Sequence, residues 1–221
     1  MSYRQELETA KKAALAAGQI LVEQKNNLNK SIFSSNTDIK LEADIVAEKL
    51  IKEILTDQTS FPILAEESGQ SSDQLSDIFW VVDPLDGTAN YSRTIPICCV
   101  SIALIKNMKP GLGVIFDFSN NDLYEGSVNT LAMQNGLEIK VSDISNQGEG
   151  ILITGLPNKT DYSDEALLKM VKDFQGWRKV RMIGSAAIGS VYIASGKADV
   201  YKESRTYLWD VAAGAAIVQA A

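Results

Sequence analysis

Residues 80–91, W-V-V-D-P-L-D-G-T-A-N-Y, bring an apolar run to two carboxylates, Asp83 and Asp86, separated by Pro84 and Leu85. Pro84 restricts the turn between the acids, and Leu85 contributes a main-chain carbonyl oxygen. Carboxylates and a carbonyl are hard oxygen donors of the kind that Mg²⁺ takes. Gly87 allows the backbone to approach a ligand closely. If Gly87, Thr88 and Ala89 open a helix, their N–H groups and the helix dipole make an anion site beside the cation. A metal site and a phosphate cradle this close together suit the hydrolysis of a phosphate monoester. The same residues also read as a strand followed by an ordinary Asp-Gly turn.

Two more specific alternatives fail on spacing. An EF-hand loop starting at Asp83 needs oxygen-bearing side chains at its third and fifth positions and Glu at its twelfth. Those positions hold Leu85, Gly87 and Thr94. The Asp-x-Asp-Gly-Thr signature of haloacid-dehalogenase phosphatases has one residue between its aspartates, and here there are two.

Composition narrows the chemistry further. The 221 residues include no histidine, which removes Ser-His-Asp and Cys-His nucleophiles, imidazole bases and the common zinc sites. Hydrolysis must therefore run on carboxylates, hydroxyls, lysine or hard metals. The net charge of −7 offers no basic face to displace counterions from a nucleic acid polymer, and it disfavours an anionic membrane. An anionic substrate then needs local attraction from metal ions or backbone N–H groups. Cys98 and Cys99 are adjacent, so on a strand they point to opposite faces and cannot pair. No secretory leader and no bilayer-length apolar run is present, and the expectation is a soluble, cytoplasmic protein.

The elements that must position these residues follow from periodicity. Residues 3–24 repeat apolar side chains at helical steps (Leu7, Ala10, Ala14, Leu15, Ile20, Leu21), and 25–29 read as a turn. A second helix is predicted over about 41–55, with Leu41, Ile45, Leu50, Ile51, Ile54 and Leu55 facing inward. Residues 61–64 read as extended and 69–77 as a loop. The apolar run 78–82 is too short for a helix and reads as a buried strand ending at Asp83-Pro84. Residues 98–105 and 113–118 suggest antiparallel hairpins. Further strands are predicted at 151–154 and 198–201, and helices at 163–174, 185–195 and 208–221. Apolar residues make up 45% of the chain, enough for one large core, and no linker or repeat divides it. The class is mixed layers of helix and sheet.

The segment 80–91 resembles the signature of the inositol monophosphatase family, W-x-h-D-P-h-D-G-T-x-N-[FY] with h apolar. These are lithium-sensitive, Mg²⁺-dependent sugar and nucleotide phosphatases. Every fixed position is present, and further family elements occur in order. Glu66-Glu67-Ser68 is similar to the G-E-E-S element, with Ala65 in place of glycine. Asp44 stands where a D-x-h-T-x-x-D segment ends. Residues 184–187 are similar to G-[ST]-A-A, and 209–214 to W-D-x-A-[AG]-[AG]. Read singly, Glu66-Glu67 is a solvated acidic pair, Asp44 a surface charge and Trp209-Asp210 a helix start. Their joint order argues otherwise.

The resemblance implies an α+β fold, a layered αβαβα sandwich of the inositol monophosphatase and fructose-1,6-bisphosphatase type, as a single domain over 1–221 that lacks its C-terminal β segment. It also implies two or three Mg²⁺ ions. Glu66, Asp83 and the Leu85 carbonyl hold the first metal, Asp86 and Asp210 complete the second, and Glu67 lies near a third, weaker ion. Asp44 and Thr88 orient or deprotonate a metal-bound water, so that Asp44, Thr88 and Glu67 form the catalytic set. The N–H groups of Gly87 and Thr88 bind phosphate. Gly184, Ser185, Ala186 and Glu203 face a small phosphorylated metabolite, and the protein is a homodimer. Arg205 is assigned from its charge: it either pairs with Glu203 or reads a second anionic group.

Three features depart from the family pattern. Lys40-Leu41 replaces an apolar-Thr pair before Asp44, which implies different water handling near the third metal. Arg205 is an unusual neighbour for Glu203. The apolar run reaches Ala221 with no cap, where the family continues with mostly β structure. Inositol monophosphate or a similar sugar phosphate is the expected substrate, since Asn90-Tyr91 replaces the Lys-Glu-Phe of the nucleotidase branch. The alternatives on this scaffold are 3′(2′),5′-bisphosphate nucleotidase, fructose-1,6-bisphosphatase, histidinol phosphatase, and a non-catalytic regulatory protein.

Overall fold

The computed structural model describes residues 3–35, 39–156 and 160–221. The chain opens with α1 (Arg4–Glu23) and α2 (Lys25–Leu28), the hairpin β1 (Ser31–Ser34) and β2 (Ile39–Leu41), and α3 (Glu42–Gln58). Short strands β3 (Ile63–Ala65) and β4 (Gly69–Gln70) precede β5 (Ile78–Asp86), α4 (Thr88–Ser92) and β6 (Cys99–Lys106). Next come β7 (Lys109–Asp117), β8 (Asp122–Ser127), β9 (Thr130–Gln134) and β10 (Leu137–Glu138). The last part contains β11 (Ile151–Thr154), α5 (Asp164–Asp173), β12 (Lys179–Met182), α6 (Ala186–Ala194), β13 (Val200–Tyr201) and α7 (Leu208–Ala220).

Among the described residues the strands form three sheets: the β1-β2 hairpin, an eight-stranded sheet and a three-stranded parallel sheet. The large sheet has the order β10-β9-β8-β7-β6-β5-β3-β4 and is antiparallel except between β3 and β5. Its continuous apolar strands make sense because both faces are covered. Along β5, Trp80 and Val82 point toward α1 and α3, while Phe79 and Val81 point toward α6 and α7. Beyond α6, a third cluster of Ile153, Ile193 and Ala198 joins the small sheet. The result is an α+β sandwich of αβαβα layers.

Helix α7 carries apolar residues on every side because it lies between layers. It approaches β7 so closely that a Cβ on Gly113 would stand 2.2 Å from the Ala213 carbonyl oxygen. That contact fixes the height of the helix whose first turn carries Asp210.

Several expectations are corrected. Leu15 and Ile45 are 41% and 46% exposed, because the inward stripes of α1 and α3 are carried by small residues such as Ala13, Ala17, Ala43 and Ala47. Residues 25–28 are helical rather than a turn. Within the expected loop 69–77, Gly69 and Gln70 pair with β3. Strand β5 runs on to Asp86 instead of ending at Asp83. Strand β12 gave no sequence signal, since its residues are mostly exposed and do not alternate.

Candidate metal and phosphate site

The extension of β5 is irregular, and the irregularity builds the site. Asp83 pairs with Ser101 and Asp86 with Cys99, so three steps on β5 match two on β6. One extra residue is accommodated as a bulge where Pro84, with no N–H to give, interrupts the ladder. The Leu85 N–H turns to Asp83 Oδ1 at 3.0 Å. Gly87 follows at φ +88, and a Cβ there would meet the Ile97 carbonyl oxygen at 2.7 Å. Both its backbone angle and its surroundings therefore require glycine. Helix α4 is only five residues long, so its macrodipole is small and the expected anion cradle rests on local N–H groups.

Two further acids come from helix starts. Asp44 and Asp210 each occupy the third position of their helix and accept the N–H of the residue before it, Leu41 and Tyr207, both at 2.7 Å. This is the return half of a capping box, with no cap donated from Leu41. It ties one oxygen of each acid. The other oxygen of Asp44 lies 3.0 Å from the Thr88 hydroxyl, which is also 3.0 Å from the Leu85 carbonyl. Asp44 is fully buried despite its charged neighbours in sequence.

Glu66 and Glu67 follow β3, whose parallel pairing with β5 carries them toward Asp83. The Glu66 N–H donates to the Val82 carbonyl at 3.1 Å, extending that pairing. Buried Glu48 accepts the Glu67 N–H at 2.8 Å and the Ser68 N–H at 3.2 Å.

The acids share one electrostatic environment. Removal from water, then the charges of Glu67, Asp44 and Asp210, raise Glu66 to about 8, although a hydrogen bond with Asp83 opposes this. Burial raises Asp83 well above the usual range, reinforced by Glu66, Asp86 and Asp210. Burial raises Asp44 and Asp210 to about 7 each. Asp86 is also raised by burial, held back by Ser185 and the Ala187 N–H, the latter at 2.8 Å.

Among the described residues none of Glu66, Asp83, Asp86 and Asp210 forms an ion pair with Lys or Arg. Clustered carboxylates without a basic partner are costly unless a cation shares them. The donor set is all oxygen, which suits Mg²⁺ rather than a softer metal. Among the described residues, however, no three acidic or thiol groups meet as a preformed metal cage. An ion that keeps several of its waters does not need one, so the residues fit Mg²⁺ bound through few carboxylates at a time.

On the substrate side, Ser185 departs from expectation. Its hydroxyl donates to Asp86 Oδ2 and accepts the Ile188 N–H at 3.1 Å, and it is buried. It therefore holds an acid and caps α6, leaving Gly184 and Ala186 as the neighbouring candidates. Glu203 Oε2 accepts the Tyr201 hydroxyl at 2.5 Å. Burial raises its carboxyl, with a smaller contribution from the charge of Asp86. Arg205 is exposed. Its charge reaches Asp161, whose carboxyl is lowered first by hydrogen bonds from Ser163. Glu203 and Arg205 line a cavity of about 430 Å³ with Lys169 and Lys202.

Three residues have structural roles that the sequence did not show. Asn90 Nδ2 donates to the Ile97 and Ile183 carbonyls, both at 2.8 Å, and clamps α4 to the Gly184 turn. Glu48 holds the Glu67 loop, and its fourfold spacing from Asp44 on α3 was the available signal. Tyr201 orients Glu203, and two-residue spacing on a strand end was its only sign. Cys98 and Cys99 are free and buried. Burial raises Cys98 to about 11, and Cys99 Sγ stands 3.8 Å from Asp86 Oδ2.

Comparison with known proteins matches the model of the inositol monophosphatase family to residues 2–221. A Xylella fastidiosa protein named Nus factor SuhB is 38% identical over 214 residues, covering 95% of this chain and 77% of the relative. A protein of Aquifex aeolicus named fructose-1,6-bisphosphatase/inositol-1-monophosphatase is 34% identical over 225 residues, covering 97% and 83%. The solved structure of inositol monophosphatase from Anabaena matches with a TM-score of 0.86 at 32% identity, over 99% of this chain and 82% of that one.

Proposed function

The chain belongs to the inositol monophosphatase family, and on that premise we propose that it hydrolyses a small phosphate monoester, an inositol monophosphate or similar sugar phosphate. Glu66, Asp83, the Leu85 carbonyl, Asp86 and Asp210 are the groups that would hold Mg²⁺. The observation that carries this is geometric: the β3–β5 pairing brings Glu66 alongside Asp83, Asp44 meets Thr88, and among the described residues no Lys or Arg pairs with Glu66, Asp83, Asp86 or Asp210.

When bound, Mg²⁺ supplies charge neutralisation at the phosphoryl oxygens and lowers the pKa of the attacking water. The Thr88 hydroxyl, fixed between Asp44 and the Leu85 carbonyl, hydrogen-bonds that water and sets its direction. Asp44, raised to about 7, accepts a proton near neutral pH. The N–H groups of Gly87 and Thr88 face the equatorial oxygens as charge builds there. Glu203 accepts a substrate hydroxyl, with Tyr201 holding its other contact.

No helix among the described residues is long and apolar enough to cross a membrane, and a cytoplasmic homodimer belongs to the same proposal. The relative named Nus factor SuhB makes a role apart from hydrolysis the second reading. Phosphate release from a panel of sugar and nucleoside phosphates, with Mg²⁺ or with chelator, separates the two. Mg²⁺-dependent release from at least one sugar monophosphate is expected. A folded protein that releases none in saturating Mg²⁺ favours the non-catalytic role.

A further inference from the structure

The hairpin β1-β2 ends beside the acidic group and presents Lys40 to it. Lys40 Nζ lies 2.9 Å from Glu67 Oε2. The two side chains are 32% and 5% exposed, so this is not a solvated surface pair of negligible effect. The backbone that carries Glu67 is held by Glu48, which accepts its N–H and that of Ser68. Lys52 stands 3.9 Å from Glu48 on the far side and braces that grip. On its inner side Glu67 acts on Asp44 and Glu66, since its charge is one of the causes raising both. The corner at Glu67 thus joins the general-base pair to the first metal position.

We propose that the Lys40 ammonium is the resident cation of this corner, so that the chain takes two divalent ions rather than three. The inference rests on the metal-site reading above. The ammonium bonds one oxygen of the carboxylate that an additional ion would have to share, and its charge repels a dication from the same few ångströms. Being tethered, it stays at the corner whatever the Mg²⁺ concentration. Lys40 is therefore a positioning residue: it holds Glu67 and sets a constant field at Asp44 and Thr88, where a dissociable ion would make that field depend on metal supply.

Mn²⁺ serves as the probe, with binding counted from the loss of the free-ion EPR signal. Wild type should saturate at two ions per chain, and Lys40→Met should gain one weaker site. Lys40→Arg should stay at two, and the Lys40→Met/Glu67→Gln double variant should return to two. Lys40→Gln replaces Lys40→Met if the melting curve shows the latter unfolded. Three ions in wild type, an unchanged count in the neutral variants, or a third site that survives loss of Glu67 would each overturn the inference alone. Fewer than two ions in wild type, together with no Mg²⁺-dependent phosphate release, overturns the functional reading and this inference with it.

Discussion

The end of β5, with the starts of α3 and α7, is held quite differently from the layer of β11–β13 and α5. In the first region Asp83 and Asp44 are buried, the strand carrying Asp83 is covered on both faces, and each acid has a named hydrogen bond. In the second, no residue of α5 is buried and most of β12 is exposed. Arg205 adopts a left-handed backbone at φ +65. On the proposed function, the groups assigned to the cation are fixed by the core, whereas those assigned to the variable part of a substrate sit where substitution costs little. A site that binds only phosphate cannot tell monoesters apart, so the proposed function assigns discrimination to the second region.

The sharpest challenge to this division is Asp83→Asn. Turnover in Mg²⁺ should fall by at least about a thousandfold. The metal-free melting temperature should hold or rise, because one of several mutually repelling charges is gone. Retained activity would remove Asp83 from the chemistry.

The next test concerns the rigidity of the first region. Gly113→Ala forces a Cβ against the Ala213 carbonyl and should cost about 2 kcal/mol of stability through overpacking. Urea unfolding measures it, and turnover should drop as α7 and Asp210 are displaced. An unchanged midpoint would mean that α7 is not pinned to the sheet.

A smaller effect is expected from pH. Asp44 and Asp210 rise from 3.8 to about 7 on folding, and Glu66 from 4.5 to about 8. Between roughly pH 4 and 8 the folded protein holds more protons than the unfolded chain, so its stability falls as pH rises. In chelator the melting temperature should decline across that window. Saturating Mg²⁺ should flatten the slope, since it competes with the protons. A metal-free profile rising toward pH 8 would contradict the shared field.

The smallest effect tests the second region. Arg205→Ala should leave stability nearly unchanged while lowering kcat/KM for a sugar bisphosphate about tenfold more than for a monophosphate. Equal losses on both substrates, or none, would take Arg205 out of substrate recognition.

Much of this was legible in the sequence. The apolar run before Asp83 marked a buried strand, and Ser163 and Ser185 marked helix starts that the structure uses as caps. Periodicity was less reliable for Ile45, since two small alanines satisfied the buried stripe and left the larger residue outside. The part that the Ser185 hydroxyl plays was hidden for a different reason. Its type and place in a motif suggested a group facing substrate, and only the position of Asp86 shows what its hydroxyl serves.

Residue type alone determined that no imidazole chemistry is available, because no histidine exists, and spacing placed two aspartates around Pro84 and Leu85 ahead of a glycine. They also determined the alternation of β5 between two apolar faces, since a strand has period two. Only the tertiary structure decided that Asp44 is buried against Thr88, that a bulge re-aims Asp86, and that Lys40 faces Glu67. The pairs Asp44–Thr88 and Lys40–Glu67 join residues 44 and 27 positions apart, and local propensity carries no information over such distances. Sheet register and helix packing set them, by bringing groups together that have no interaction along the chain.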